Sequence, residues 1–328
     1  SIPSFVEKLS SASSNRRVQM EYALTILSRV GVMFMLMAVG FGMYKSGIMS
    51  EEGRAQLSKI VLKLVCPVLI FMAYQTEATP ELLSGLFWSF LLSLISVAAG
   101  VAISYFAVGK NRANAAISRF SIAYSNCAFI GIPLVSGIFG NEGVFYVTSY
   151  ITMFNIFVWS LGVMQIKGEK SAADFLKSLL SPTILAVVLG LVFFAFGIML
   201  PSVPAEALNY ISSLNTPLAM FIAGATVADS DMARSVRNPS VLWSCFCKLI
   251  VLPVIIMFAF KLIPVPSEVV FITIVIATAC PTATIGTLFA LEYGKNAVYA
   301  SEIFALSTLL SGITMPIMVV LSQYVFAL

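Results

Sequence analysis

The residues best suited to chemistry in this chain are neutral and polar, and they interrupt apolar runs. One interruption is Ser125-Asn126-Cys127-Ala128-Phe129-Ile130-Gly131-Ile132-Pro133, inside a run long enough to cross a membrane. A second is Ala279-Cys280-Pro281-Thr282-Ala283-Thr284-Ile285-Gly286-Thr287, near the far end. Asn, Gly and Pro together would break a helix in mid-bilayer, which is tolerated only where the freed backbone faces protein or a wet cavity. A half-helix end carries unpaired N–H or C=O groups that act as partial charges. N-terminal ends attract anions, and freed carbonyls attract cations or donors. Ser125, Asn126, Cys127, Thr282, Thr284 and Thr287 would thus hold a solute by hydrogen bonds and helix dipoles, without a salt bridge. A Gly/Pro-interrupted span in each half of a chain points to a transporter's binding site. The plainer reading of either break is a proline kink that serves packing. Gly131, Gly137 and Gly286 would let the broken spans cross closely, or are ordinary helix-contact glycines.

Charges inside the apolar runs are few. Lys248 lies mid-way along one run and Glu302 early in the last. An ionisable group in the membrane is a functional candidate because leaving it unpaired costs several kcal/mol. Lys248 is a candidate for compensating charge and Glu302 for binding a coupling cation. Against this, Lys248 could snorkel and Glu302 could face an interface. Asn155 and the Asn215-Thr216 pair add neutral groups that would bind solute or bridge helices. No run carries adjacent acids, which weighs against a proton exchanger. Histidine is absent, removing histidine catalysis and the commonest metal ligand. The five cysteines all fall in apolar runs and read as small packing residues. With no nucleophile–base pair and no metal set, neither an enzyme nor a cofactor is expected.

These residues need elements that cross lipid. Apolar residues make up 59% of the chain and charged ones 10%, where a soluble domain carries about 25% charged. Mean hydropathy is +0.97. The chain reads as an all-α polytopic membrane protein in a lipid bilayer. The net charge of +4 comes with no basic block, so nucleic acid is not an expected partner. Ten runs reach the ~20 residues a span needs: 22–44, 56–75, 82–108, 115–139, 143–166, 181–200, 207–228, 239–262, 267–291 and 297–327. Pro316 would kink the last or mark its exit. Residues 1–21 form a polar tail without a signal-peptide core. Met20 is a plausible native start with 1–19 an added segment, or the tail is a surface-lying amphipathic helix.

Lys and Arg concentrate in alternate loops: Lys45 to Lys63, Lys110 to Arg119, Lys167 to Lys177, Arg234 with Arg237, and Lys295. The opposite loops hold little beyond Lys261. The first set is then cytoplasmic, and ten spans place both termini outside a multi-pass cell membrane protein. Pro67 and Pro217 are spaced almost as Pro133 and Pro281 are. Spans two and seven, and four and nine, therefore match. Each half, 22–166 and 181–328 around a short linker 167–180, has five spans. Halves with an odd number of spans sit upside down relative to each other, an inverted repeat.

Four stretches resemble the auxin efflux carrier family, which includes bacterial organic-acid permeases and plant carriers. They are Gly40–Ile48 with Cys66-Pro67-Val68-Leu69-Ile70-Phe71; Asn126–Leu134; Pro217–Ala225; and Pro281-Thr282-Ala283-Thr284 with Leu291-Glu292-Tyr293-Gly294 and Ser307-Thr308-Leu309. The likeness runs over residues 22–326. It implies a fold like that of bile-acid transporters and sodium–proton antiporters, with broken spans four and nine crossing. It also implies a mobile unit working against a scaffold, in many members as a homodimer. By the resemblance Asn126 contacts substrate, and Pro133 and Pro281 form the crossover. The long cytosolic loop of the plant carriers is missing, which points to a bacterial-type organic-anion permease. The expected function is secondary transport of a small organic anion, such as a carboxylate, by alternating access. A sodium-coupled symporter of the bile-acid type and a ligand-binding receptor without transport are the alternatives.

Overall fold

The computed structural model describes Leu24 and residues 27–109, 114–168 and 180–327. The tail 1–21, Lys110, Arg112, Lys170, Lys177 and most of the linker lie outside the described residues. In chain order the helices are α1 Leu27–Lys45, α2 Glu51–Ala73, α3 Pro80–Ala107, α4 Ala115–Ala123, α5 Cys127–Lys167 and α6 Pro182–Ala195. They continue with α7 Ser202–Asp229, α8 Pro239–Lys261, α9 Glu268–Ala279, α10 Ile285–Glu292 and α11 Ala297–Ala327, with a single helical turn, Met232–Ser235, between α7 and α8. Among the described residues there is no β-strand. Seven of these helices (α1, α2, α3, α5, α7, α8 and α11) are long and apolar enough to cross a membrane.

Local sequence sets the starts. Thr79, Ser181, Ser267 and Asn238 each turn a side-chain oxygen onto a first-turn N–H of α3, α6, α9 and α8. Pro80, Pro182 and Pro239 occupy first-turn positions, where no N–H is needed. Proline inside a helix is absorbed differently. The widened turns Val61–Val65, Cys127–Gly131 and Cys247–Val251 each end two residues before a proline: Pro67, Pro133 and Pro253. The ring cannot donate and crowds the preceding turn, so extra backbone accommodates it.

Several expected runs differ in form. The run 115–139 and its successor share α5, which changes direction at Gly140 (φ 60°, ψ −144°). A Cβ on Gly143 would meet Val135 and Phe139. Eight residues of straight helix would separate Gly143 from Val135 by about 12 Å, so the chain has folded back. Run 181–200 is helical only over α6, and Gly197 at φ +64° ends it. The run 267–291 is split into α9 and α10. Pro316 is neither an exit nor a stop, since α11 continues through it to Ala327.

Helices α2, α6 and α7 pack together, while α3, α5, α9 and α11 form a second group with α4, α8 and α10 against it. Helix α1 meets α7 where Gly40 faces the Phe221 backbone and Gly224 faces the Met37 carbonyl. Small residues let the two backbones touch. Gly224→Val should therefore destabilise by about 1–3 kcal/mol through overpacking, read as a lowered melting temperature in detergent. Gly42→Val, with open space at its Cβ, should not.

Candidate functional site

Helix α4 stops at Ala123 because Tyr124 (φ −111°, ψ 126°) turns extended. Helix α9 stops at Ala279 because Pro281 forces Cys280 out of helical geometry (φ −55°, ψ 148°). The two links lie against each other as one antiparallel bridge between Ser125 and Thr282. The Asn126 N–H donates to the Pro281 carbonyl at 2.7 Å, and the Ala283 N–H to the Tyr124 carbonyl at 3.0 Å. Each break thus satisfies backbone groups that the other leaves open, as a water-poor interior demands.

Side chains close the helix ends reciprocally. The Ser125 hydroxyl donates to the Thr278 carbonyl at 3.1 Å, in the last turn of α9. The Thr282 hydroxyl donates to the Ser121 carbonyl at 2.5 Å, in the last turn of α4. Ser125 and Thr282 are separated by the same number of positions as Ser121 and Thr278. Ser307 of α11 accepts from the Thr282 N–H at 3.2 Å. The Asn126 amide donates to the Thr284 hydroxyl at 3.3 Å, joining the starts of α5 and α10.

Lys248 is completely buried. Its Nζ donates to Ser125 Oγ at 2.5 Å and to the Thr278 carbonyl at 3.2 Å. The Tyr150 hydroxyl is 3.2 Å from Ser125 Oγ, and Ser96 Oγ is 2.6 Å from Thr278 Oγ1. This C-terminal side of the links is sealed. The N-terminal side is less so: Asn126 retains 5% exposure, and Ala128, Thr284, Ile285 and Thr287 are half-buried.

The structure brings together Ser125, Asn126, Cys127, Pro281, Thr282, Thr284 and Lys248. A Cβ on Gly131 would touch Cys280 Sγ, and one on Gly286 the Phe120 ring, so both glycines admit the opposite broken span. Gly137 instead faces Arg29 of α1. Pro133 lies in the second turn of α5, whereas Pro281 lies in the link itself. The proline spacing therefore does not mark equivalent positions. Asn155 is apart from the links and bonds its own helix at the Ile151 carbonyl, 2.8 Å away. Asn215 bridges helices, accepting from the Cys66 thiol at 3.2 Å.

Glu302 is buried and ion-paired with Arg234, Oε1 to Nε 2.8 Å. Its carboxylate already has a resident cation. Removing that partner leaves a buried charge, while an amide in place of the carboxylate does not. Arg234→Ala is therefore expected to lower the melting temperature more than Glu302→Gln.

Sequence reasoning missed Ser96, Ser121, Tyr150 and Thr278, and picked out Ser307 as part of a motif without a role at the site. Ser89, Ser93 and Ser96 do form a polar stripe at i, i+4 and i+7 along α3, a readable sign that this face meets protein rather than lipid.

The profile of the membrane transport protein family matches residues 25–319. The chain belongs to this family. It is the auxin efflux carrier-like group to which the sequence motifs pointed. An uncharacterized transporter of Methanothermobacter thermautotrophicus is 24% identical over 308 residues, spanning 89% of this chain and 96% of that protein. The uncharacterized transporter YfdV of Escherichia coli K12 is 23% identical over 304 residues, spanning 88% and 95%. The uncharacterized transporter MJ1031 of Methanocaldococcus jannaschii is 24% identical over 295 residues, spanning 84% and 92%. The family and these relatives are membrane transporters rather than enzymes, so the chain is a multi-pass membrane transporter.

Proposed function

We propose that this transporter is a secondary carrier of a small organic anion, such as a carboxylate, working by alternating access around crossed broken helices. The pairing of the two links through Ser125 and Thr282, with Asn126 bonded to Thr284, is the observation that carries the reading. The less sealed side of that pairing holds the starts of α5 and α10. Helix N-termini there favour negative charge, and Asn126 and Thr284 add neutral polar groups. A carboxylate would replace the Asn126–Thr284 bond with bonds of its own.

The architecture proposed is ten spans in two inverted five-span halves, 22–166 and 181–328. In it, α4 with the first arm of α5 forms span four, and α9 with α10 forms span nine. The reciprocal Ser125–Thr278 and Thr282–Ser121 bonds support the inversion. The Lys- and Arg-rich loops would face the cytoplasm, with both termini outside. The helices α3–α5 and α8–α11 would move against α1, α2, α6 and α7, in a homodimer built on the latter group.

Alternating access is tested by labelling. Thr284→Cys, in a background with the five native cysteines replaced, should react with an impermeant thiol reagent from either side of the membrane. A transported carboxylate should slow both reactions. Reaction from one side alone, unaffected by any carboxylate, would contradict it.

A further inference from the structure

In carriers built on broken helices, freed carbonyls at half-helix C-termini coordinate the coupling cation. Here the two C-terminal ends are closed unequally. Among the described residues, the one side chain that caps the end of α4 is the neutral Thr282 hydroxyl, on the Ser121 carbonyl. The end of α9 receives the Ser125 hydroxyl and, in addition, Lys248 Nζ, both on the Thr278 carbonyl. Lys248 arrives from α8, where the widened turn Cys247–Val251 precedes Pro253. No carboxylate pairs with it among the described residues. Its bonding partners are the oxygens of Ser125 and Thr278, the kind of hard neutral ligand that a sodium ion takes.

Lys248 also stands on the sealed side of the links, away from the side where Asn126 and Thr284 keep some exposure. That position does not suit a direct counter-ion for the solute. We infer that Lys248 is a built-in cation occupying the place of a coupling ion at the α9 end, so that this carrier works without sodium. The inference rests on the transport reading, and it identifies Lys248 as a positioning residue. The lysine fixes the negative end of α9 while the opposite face of the crossing receives the anion. Its tethered charge travels with the crossing on every turnover, loaded or empty.

The test uses the full chain in two assays. The first needs no transport: thermal melting in detergent, with sodium chloride against choline chloride at equal ionic strength. Wild type should melt identically in both. Lys248→Ala, which deletes a propylammonium-sized group, should melt lower and regain stability with added propylammonium or sodium. The second assay is carboxylate flux in proteoliposomes. Wild-type flux should be indifferent to sodium, and Lys248→Ala should be at least tenfold slower until propylammonium or sodium is supplied. A saturable rise of wild-type melting temperature or flux with sodium would overturn the inference. So would wild-type flux from both Lys248→Ala and Lys248→Met in choline alone. If wild type moves no carboxylate, the transport reading fails, and the melting assay alone decides the cation site.

Discussion

Asn126→Ala should slow carboxylate transport by about 10- to 150-fold, the loss of one hydrogen bond to a charged group worth about 1.5–3 kcal/mol. The fold should survive it. The backbone bond from Asn126 to the Pro281 carbonyl does not depend on the side chain, and the amide's own partner is the half-buried Thr284 hydroxyl at 3.3 Å. Melting temperature should therefore stay close to wild type while flux falls, which separates a binding defect from a folding one. Asn126→Asp should be slower still, because a fixed negative charge would repel the solute. Equal flux in wild type and both variants would remove Asn126 from the site.

Ser125→Ala has the opposite signature, with stability as its main readout. Ser125 Oγ accepts from Lys248, donates to the Thr278 carbonyl, and lies 3.2 Å from the Tyr150 hydroxyl. All these groups are buried. Deleting the oxygen leaves a buried lysine with one of its two bonds, and a bond to a charged group is worth about 1.5–3 kcal/mol. A destabilisation of about 2–3 kcal/mol is expected, measured by denaturant or thermal unfolding in detergent. A double-mutant cycle isolates the cause, since residues in one network are not additive. In a Lys248→Met background the cost of Ser125→Ala should shrink to under about 1 kcal/mol. An undiminished cost would assign the effect to packing.

Much of this arrangement was legible in the sequence, and the gaps have physical reasons. Asn126 and Pro281 stand out because a polar amide and a missing N–H are costly inside an apolar run, and both breaks fall beside them. Pro133 misled for the same reason. Its ring reads as a break, but the widened turn Cys127–Gly131 absorbs it and α5 continues. Pro133 and Pro281 thus each mark one of the two interrupted runs that meet at Ser125 and Thr282, without standing in equivalent positions. Gly140 was hidden among Gly137 and Gly143, since composition alone does not say which glycine takes a positive φ. The depth of Lys248 was readable, but its partners were not. They are the Ser125 hydroxyl in one link and the Thr278 carbonyl of α9, and backbone carbonyls capped across a break, such as those of Thr278 and Ser121, carry no local signature. Glu302 read as a lone membrane acid because Arg234, its partner, lies far along the chain.

Carboxylate-driven flux tests transport through the paired links most directly. Wild type and Asn126→Ala are reconstituted in parallel into liposomes, and currents are recorded while small mono- and dicarboxylates are presented one at a time. The prediction is a saturable current for at least one carboxylate in wild type, reduced at least tenfold in Asn126→Ala at equal protein and unchanged melting temperature. Saturable carboxylate binding without flux in any imposed gradient would contradict it, and would instead make the links of Ser125 and Thr282 a receptor's binding site.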